Sequence, residues 1–187
     1  MARVLEEIDD TIRAFIESQQ MFFVASAPLA GDGHVNMSPK GLEAFRILSP
    51  RRIAYLDHIG SGAETIAHLR ENGRLVVMFC AFAGPPKIVR IHGLGAVLSP
   101  EDDEFRALRP LFGPAPPVRA IITLDVERLS HSCGFGVPLY EYQGQRTNLT
   151  DWASRKGEAA LRLYQAEKNA LSVDGLPAVD WVKSVGP

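Results

Sequence analysis

The sequence predicts a mainly β protein of the α+β class, built on an antiparallel sheet or a closed barrel. Short stretches of β type are separated by turn signals, such as Gly and Asp at 31–33 and Gly-Pro-Pro at 84–86. The segment from Phe23 to Asp57 is too short for repeated βαβ crossovers, so a Rossmann arrangement is disfavoured. The hydrophobic content of 46% is enough for a sizeable core.

Six stretches have the composition or alternation of strands, namely residues 21–27, 35–38, 53–57, 75–82, 88–98 and 120–132. The second of them runs into Pro39, which has no N–H to donate to a neighbouring strand. We therefore expect that strand to end at Pro39 or to lie at the edge of the sheet.

Helices are predicted before, between and after these strands. Apolar residues at helical spacing from Leu5 to Ile16 indicate an N-terminal helix over about residues 1–20. A second helix spans 63–71 and ends at Asn72-Gly73, and a third begins with Ser99 as its N-cap and ends before Gly113. The last spans 150–169, interrupted only by Gly157, so a C-terminal helix and tail occupy about 148–187.

Length and charge narrow the functional class. A chain of 187 residues fits a single domain, 1–187, and a net charge of −2 gives no reason to expect nucleic acid or an anionic membrane as partner. The N-terminus lacks a signal-peptide core and no apolar run is long enough to span a bilayer, which predicts a cytoplasmic protein. Cys80, Cys133 and the five histidines lack zinc spacing, so no metal is expected.

The turn Gly60-Ser61-Gly62 is the first candidate binding segment, because it precedes the predicted helix 63–71. Free N–H groups and the positive end of the helix dipole make such a helix start suitable for a phosphate. Ser61 and Glu64 also have the spacing of a capping box, which needs no ligand. Thr65 adds a hydroxyl that fits either interpretation.

Two strand segments are further candidates. Asn36, Met37 and Ser38 precede Pro39, so part of their backbone is free for a planar polar ligand, with Lys40 just beyond; an exposed lysine in a turn is the simpler alternative. Alternation places Arg90 and His92 on one strand face, where an arginine either pairs with a carboxylate or binds an anion. Cys133 lies beside glycines but lacks a nearby base, which disfavours a catalytic thiolate, and its role stays open.

Taken together, these segments resemble the pyridoxamine 5′-phosphate oxidase-like superfamily, in its poorly characterised branch. The resemblance covers most of the chain in a consistent order and is carried by the segments 35–41, 57–65, 72–74, 90–93, 132–138 and 172–177. It implies a six-stranded antiparallel split β-barrel with flanking helices and FMN bound at the interface of a homodimer.

The resemblance also implies where the flavin lies. The strand from Asn36 to Lys40 would follow the ring system and ribityl chain, with Lys40 approaching the phosphate. The turn at 60–65 would hold the phosphate through Ser61, Gly62 and Thr65, and Asp57 and Arg90 complete the implied cofactor site.

One departure from the oxidase narrows the expected activity. The oxidase has a Ser-Arg-Lys phosphate loop, whereas this turn has no basic residue, and Val35 stands where the oxidase has an arginine. We therefore predict an FMN-dependent oxidoreductase that acts on an unknown small organic molecule rather than on pyridoxamine phosphate. The alternatives are a non-catalytic flavin-binding or electron-transfer protein, and a binder of haem or a deazaflavin on the same fold.

Overall fold

The computed structural model describes residues 3–182, which form eight β-strands in one antiparallel sheet. The strands are β1 (Arg3–Leu5), β2 (Phe22–Ser26), β3 (Asn36–Lys40), β4 (Phe45–Ser49), β5 (Arg52–His58), β6 (Arg74–Cys80), β7 (Ile88–Leu98) and β8 (Val118–Ser132). Four α-helices flank them, α1 (Asp10–Glu17), α2 (Glu64–Asn72), α3 (Asp103–Leu108) and α4 (Asn148–Lys168), with a 3₁₀ turn at Arg109–Phe112.

The sheet curls into a barrel that stays open along one side. Its strand order is β3-β2-β6-β7-β8-β5-β4, so β3 and β4 are its two edges, and β1 pairs with β8 off this path. The prediction from Pro39 is confirmed, because β3 is an edge strand with Pro39 opposite Phe23. The predicted split-barrel fold is confirmed, with more strands than the six expected.

The barrel interior holds the main hydrophobic core. Buried side chains of the sheet, including Tyr55, Val77 and Ile91, pack there against Ile12 of α1 and Ile66 of α2. A second, smaller cluster lies on the other face of β5 and β8 and contains Ala44, Ala54, Leu56, Leu98, Phe112 and Ile121. Side chains therefore alternate between the two clusters along these strands, and both faces of β5 are buried.

Two strands were missed by the sequence pattern. Leu5 belongs to β1 and not to the N-terminal helix, which begins only at Asp10. A strand of three residues has no periodicity of its own, and β1 exists because Val4 lies opposite Ser130 of β8. In β4 every residue is half-buried, so this strand lacks the alternation that would have revealed it.

The expected N-terminal caps of two helices were wrong. Helix α2 has Ala63 at its N-cap with no side-chain hydrogen bond, so Ser61 and Glu64 do not form a capping box. Helix α3 has Asp102 at its N-cap, because Ser99 instead donates its hydroxyl to the Asp102 carboxylate in the preceding turn. The predicted C-cap at Gly73 is confirmed by its left-handed backbone, with φ of 69°.

The last helix has the interruption that its sequence predicted. The backbone of Gly157 leaves the helical region, with φ of 73°, and divides α4 into two parts. Within residues 3–182, no helix is both long and apolar enough to cross a membrane.

An ion pair ties the connection between β2 and β3 to the segment after α4. The Asp174 carboxylate accepts a hydrogen bond from the His34 backbone N–H at 2.8 Å and contacts His34 Nδ1 at 2.6 Å. The hydrogen bond to Asp174, followed by its charge, raises the pKa of His34 above 6.5. The same hydrogen bond lowers the pKa of Asp174 below 3.8.

We predict that this ion pair stabilises the fold most between the two unperturbed pKa values, 3.8 and 6.5. Because folding raises the pKa of His34, protonated His34 contributes fully to the stability below pH 6.5. This contribution is lost as the pH rises through the pKa of His34 in the folded state. Asp174→Asn should therefore lower the thermal midpoint at about pH 5 and change it less at about pH 9. Asp32→Asn in the same connection is the control, and an equal effect of Asp174→Asn at both pH values would contradict the prediction.

Candidate functional site

Strand β3 turns one set of its side chains into the barrel. Asn36, Ser38 and Lys40 lie opposite buried residues of β2 and therefore face inward. Met37 and Pro39 face outward, and Met37 is 65% exposed. The predicted site residues of this strand are thus divided between its two faces, three on the inside and Met37 on the outside.

A buried ion cluster joins β3 to the far side of the sheet. Lys40 Nζ lies 2.9 Å from Asp57 Oδ1, and Arg119 Nε lies 2.7 Å from Asp57 Oδ2. Asp57 is 1% exposed and Arg119 5% exposed. Burial favours the neutral form of Asp57, but the charges of Lys40 and Arg119 outweigh it and hold the pKa of this carboxyl well below its usual range. The cluster of two cations and one anion therefore carries a net positive charge inside the barrel.

Thr65 connects the same strand to the first turn of α2. Asn36 Nδ2 donates a hydrogen bond of 2.9 Å to the Thr65 hydroxyl oxygen. Because that oxygen acts as the acceptor, the hydroxyl proton stays available for another partner. Ser38 donates to the Asn36 side-chain oxygen at 3.3 Å. The predicted residues Asn36, Ser38 and Thr65 thus form one hydrogen-bonded group beside the ion cluster.

The turn Gly60-Ser61-Gly62 is held in place by two side chains from elsewhere in the chain. The carbonyl oxygen of Gly60 accepts hydrogen bonds from Asn169 Nδ2 at 2.9 Å and from Arg119 Nη1 at 3.4 Å. Ala63 supplies no side-chain cap, so no capping side chain occupies the first N–H groups of α2. The turn is therefore anchored through its carbonyl group while the helix start keeps donors for a ligand.

Arg90 does not join this group of residues. Arg90 lies opposite Met78 of β6, and Met78 lies opposite Phe23 of β2. Phe23 in turn lies opposite Pro39, which faces outward. Arg90 is therefore on the outer face of the sheet, where its guanidinium donates to the Ser132 hydroxyl at 3.3 Å. His92 shares that face with Arg90, as the alternation predicted.

Sequence reasoning missed two residues that shape the site. Arg119 stands directly before a strongly apolar run, where a charged residue is normally expected to reach solvent, yet it is buried against Asp57. Asn169 follows the last helix and is fully buried beside the turn at Gly60. The sequence signal that could have found this pair is Arg119 at the start of a predicted buried strand, because a buried arginine needs a carboxylate partner. Cys133 is exposed just after β8.

We predict that Asp57→Asn destabilises the protein strongly, because it leaves the buried cation Arg119 and the half-buried cation Lys40 without a counter-ion. Breaking a buried ion pair by removing one partner costs about 3–5 kcal/mol of unfolding free energy. Urea denaturation followed by circular dichroism measures this loss. Asp125→Asn is the control, since Asp125 is 70% exposed beside Arg52 and exposed pairs contribute about 0–1 kcal/mol. Equal losses for the two variants would contradict a structural role for the buried cluster.

Comparison with known proteins places the chain in a family. Residues 8–133 match the family model described as pyridoxamine 5′-phosphate oxidase. The pyridoxamine 5′-phosphate oxidase family protein ustO of Aspergillus flavus is 40% identical over 193 residues, which cover 93% of this chain and 76% of ustO.

Solved structures show the same fold at lower identity. Two structures of HupZ from Group A Streptococcus align with TM-scores of 0.55 and 0.53, at 19% and 20% identity, and cover 67% and 65% of this chain and 99% and 91% of HupZ. A proposed pyridoxamine 5′-phosphate oxidase from Lactobacillus delbrueckii aligns with a TM-score of 0.50 at 16% identity, over 67% of this chain and 94% of its own. The predicted family is confirmed: this chain belongs to the pyridoxamine 5′-phosphate oxidase family.

Proposed function

We propose that this protein binds FMN and acts as a flavin-dependent oxidoreductase on a small organic substrate other than pyridoxamine phosphate. The observation that carries the proposal is the arrangement around the start of α2. There the hydrogen-bonded group of Asn36 and Thr65 lies next to a turn with open helix donors and a buried cluster of net positive charge. Membership of the family supports a flavin as the ligand.

The residues at the helix start fit a phosphate group. The N–H groups of the first turn of α2 are not capped by a side chain, and the Thr65 hydroxyl retains a proton to donate. A Cβ placed on Gly60 would meet no atom closer than 4.0 Å, whereas one on Gly62 would overlap the Glu64 carboxylate, so the open side of the turn is at Gly60. Lys40, Ser61 and Gly62 complete the proposed phosphate contacts.

The missing basic pair of the oxidase loop has a structural substitute. Arg119 reaches the turn from β8 and donates to the Gly60 carbonyl, while Asp57 fixes the orientation of its guanidinium. The positive charge of Arg119 thus lies beside the turn, although the turn itself contains no basic residue. This arrangement supports phosphate binding without the Ser-Arg-Lys loop, and it differs from the oxidase at the residues that hold its cofactor.

Strand β3 fits the edge of a planar ring system. As an edge strand it pairs only with β2, so backbone N–H and C=O groups on its other side are free for a ligand. When bound, FMN supplies the hydride-accepting chemistry. In our proposal Asn36, Met37 and Ser38 border the ring, while Lys40 and Thr65 orient the phosphate end.

We further propose that the protein is a homodimer with its flavin sites at the interface. Val35 is 72% exposed and Met37 65% exposed, both at the outer side of the β3 edge. Neighbouring exposed apolar side chains indicate a contact surface more often than isolated ones do. A second copy that covers this edge would close the ring side of the site.

The first experiment is the absorbance spectrum of the purified protein, with release and identification of any bound ligand. A flavin spectrum and released FMN support the proposal, and reduction by a nicotinamide or a deazaflavin separates an oxidoreductase from a passive flavin carrier. A Soret band would indicate haem instead. A colourless protein whose thermal midpoint does not respond to FMN would overturn the proposal.

We predict that Thr65→Val weakens FMN more than riboflavin, because only FMN carries the phosphate. Loss of one hydrogen bond to a charged group should raise the Kd for FMN about tenfold and leave that for riboflavin within about twofold. Arg162→Gln, at an exposed position of α4, is the control and should change neither affinity by more than about twofold. Fluorescence titration measures both flavins, and equal losses for FMN and riboflavin would remove Thr65 from the phosphate site.

We also predict that Met37→Asp shifts the protein toward a monomer and weakens flavin binding in parallel. A carboxylate at the centre of an apolar contact must lose its hydration when the interface forms. Light scattering coupled to gel filtration measures the mass. Leu163→Asp, at an exposed apolar position of α4, is the control; a dimer that survives Met37→Asp would argue against an interface at β3.

A further inference from the structure

The open side of the barrel contains a cavity separate from the proposed flavin site. Strands β3 and β4 are the two unpaired edges of the sheet, and residues 41–44 cross from one edge to the other. A cavity of about 560 Å³ lies at this crossing. None of the proposed flavin contacts lines it. Its volume falls in the range of small-molecule sites, about 300–1,000 Å³.

Aromatic and aliphatic side chains form the inner wall of this seam cavity. Phe45 of β4 packs edge-to-face on Phe22 at 5.2 Å and on Phe79 at 4.9 Å between ring centroids. Ile16 of α1 and Ile47 of β4 extend the apolar wall. Phe22 and Phe79 are 3% and 1% exposed, so the half-buried Phe45 is the ring of this group that can meet a further ring, by edge-to-face or offset packing.

The rim of the cavity limits the charge of a ligand. Its charged side chains are Glu17, Glu43 and Arg46, two acids and one base. Arg46 already uses Nε and Nη1 on the backbone oxygens of Leu111, Glu43 and Phe45. An anionic ligand would thus meet a rim of net negative charge, whereas a neutral or cationic one would not.

One glutamine, Gln145, attaches a segment from beyond β8 to the loop that crosses the seam. Residues 140–147 form a strap across the opening, attached where the Tyr140 N–H donates to the Phe82 carbonyl at 2.9 Å. From this strap, Gln145 accepts a hydrogen bond from the Leu42 N–H at 3.1 Å and donates one to the Gln20 carbonyl at 3.1 Å. Its side chain lies between the seam cavity and a larger outer one of about 1030 Å³, since both are lined by Gln145.

The crossing segment is strained where Gln145 holds it. Leu42 and Glu43 both have left-handed backbones, with φ of 58° and 55°, a conformation that costs energy for residues with a side chain. A Cβ on Gly41 would lie 2.9 Å from Gln145 Oε1, so only glycine permits this approach without a shift. Such strain persists where the surroundings enforce it, and such positions cluster at ligand sites.

We propose that the seam cavity binds a small, uncharged or cationic aromatic molecule, and that Gln145 closes the cavity over it. The aromatic wall supplies the affinity and the acidic rim selects against anions. The two hydrogen bonds of Gln145 connect the strap to Leu42 of the crossing segment and to Gln20 before β2, so their loss opens a route to the outer cavity. Among the proposed flavin contacts, Lys40 lines the outer cavity and none lines the seam cavity.

The test uses the purified full-length protein with three probes of one ring system: indole, tryptamine and indole-3-acetate. Ligand-observed NMR should detect binding of neutral indole and cationic tryptamine, with anionic indole-3-acetate weaker by about tenfold. Ile47→Trp fills the cavity and should abolish indole binding. Leu48→Trp, which faces the second cluster from the same strand, should retain it. Equal binding of all three probes, or indole binding that survives in a folded Ile47→Trp protein, would overturn the proposal.

A second pair of variants decides the role of Gln145 and does not depend on filling the cavity. Gln145→Ala should raise the dissociation rate of indole about tenfold, because two closing hydrogen bonds are lost. Gln143→Ala, on the same strap, should leave the rate unchanged. Equal rates in both variants would refute the closing role. Flavin content, measured by absorbance in every variant, separates failure of this site from failure of the flavin proposal.

Discussion

The buried ion cluster of Lys40, Asp57 and Arg119 is the constraint on which the rest of the site depends. Lys40 and Asp57 belong to strands that four others separate in the sheet, so their contact across the interior requires the sheet to curl. A carboxylate that is 1% exposed persists as a charge only beside opposite charges, and each cation in turn needs it. The same cluster gives the interior a net positive charge next to the start of α2, where an anionic ligand group is best accommodated.

The open side of the barrel accounts for both proposed sites, the polar site beside β3 and the seam cavity. On the inner side of β3, hydrogen bonds and charge define a polar site at the Gly60 turn, anchored by Arg119 and Asn169. Directly after Lys40, the chain crosses the seam with two left-handed residues, each at a cost of about 1–3 kcal/mol. Lys40, the last residue of β3, is therefore adjacent in sequence to the segment that crosses the seam, although it does not line the seam cavity.

Local signals predicted the elements whose pattern is self-contained. Composition and alternation located six strands and both faces of β7, Pro39 indicated an edge, and Gly73 and Gly157 marked a helix end and a kink. The misses have different causes, because β1 depends on a strand distant in sequence whereas β4 pairs with its neighbour β5 across a short turn. Strand β1 exists through β8, and β4 lies half-buried between two environments. The predicted capping box does not form because α2 begins at Glu64 with Ala63, and not Ser61, as its N-cap residue. The spacing of Ser61 and Glu64 matches the motif all the same.

By itself, the sequence determined the fold class, the family and the edge position of β3, because periodicity, turn residues and motif order are local properties of the chain. It could not determine which charges meet. Pairing of Arg119 with Asp57 joins residues 62 positions apart, and Asn169 reaches the Gly60 carbonyl over 109 positions. Such contacts depend on strand register and on the curl of the whole sheet. The tertiary structure therefore places Arg119 beside the Gly60 turn, which has no basic residue of its own, and places Arg90 on the outer face of the sheet.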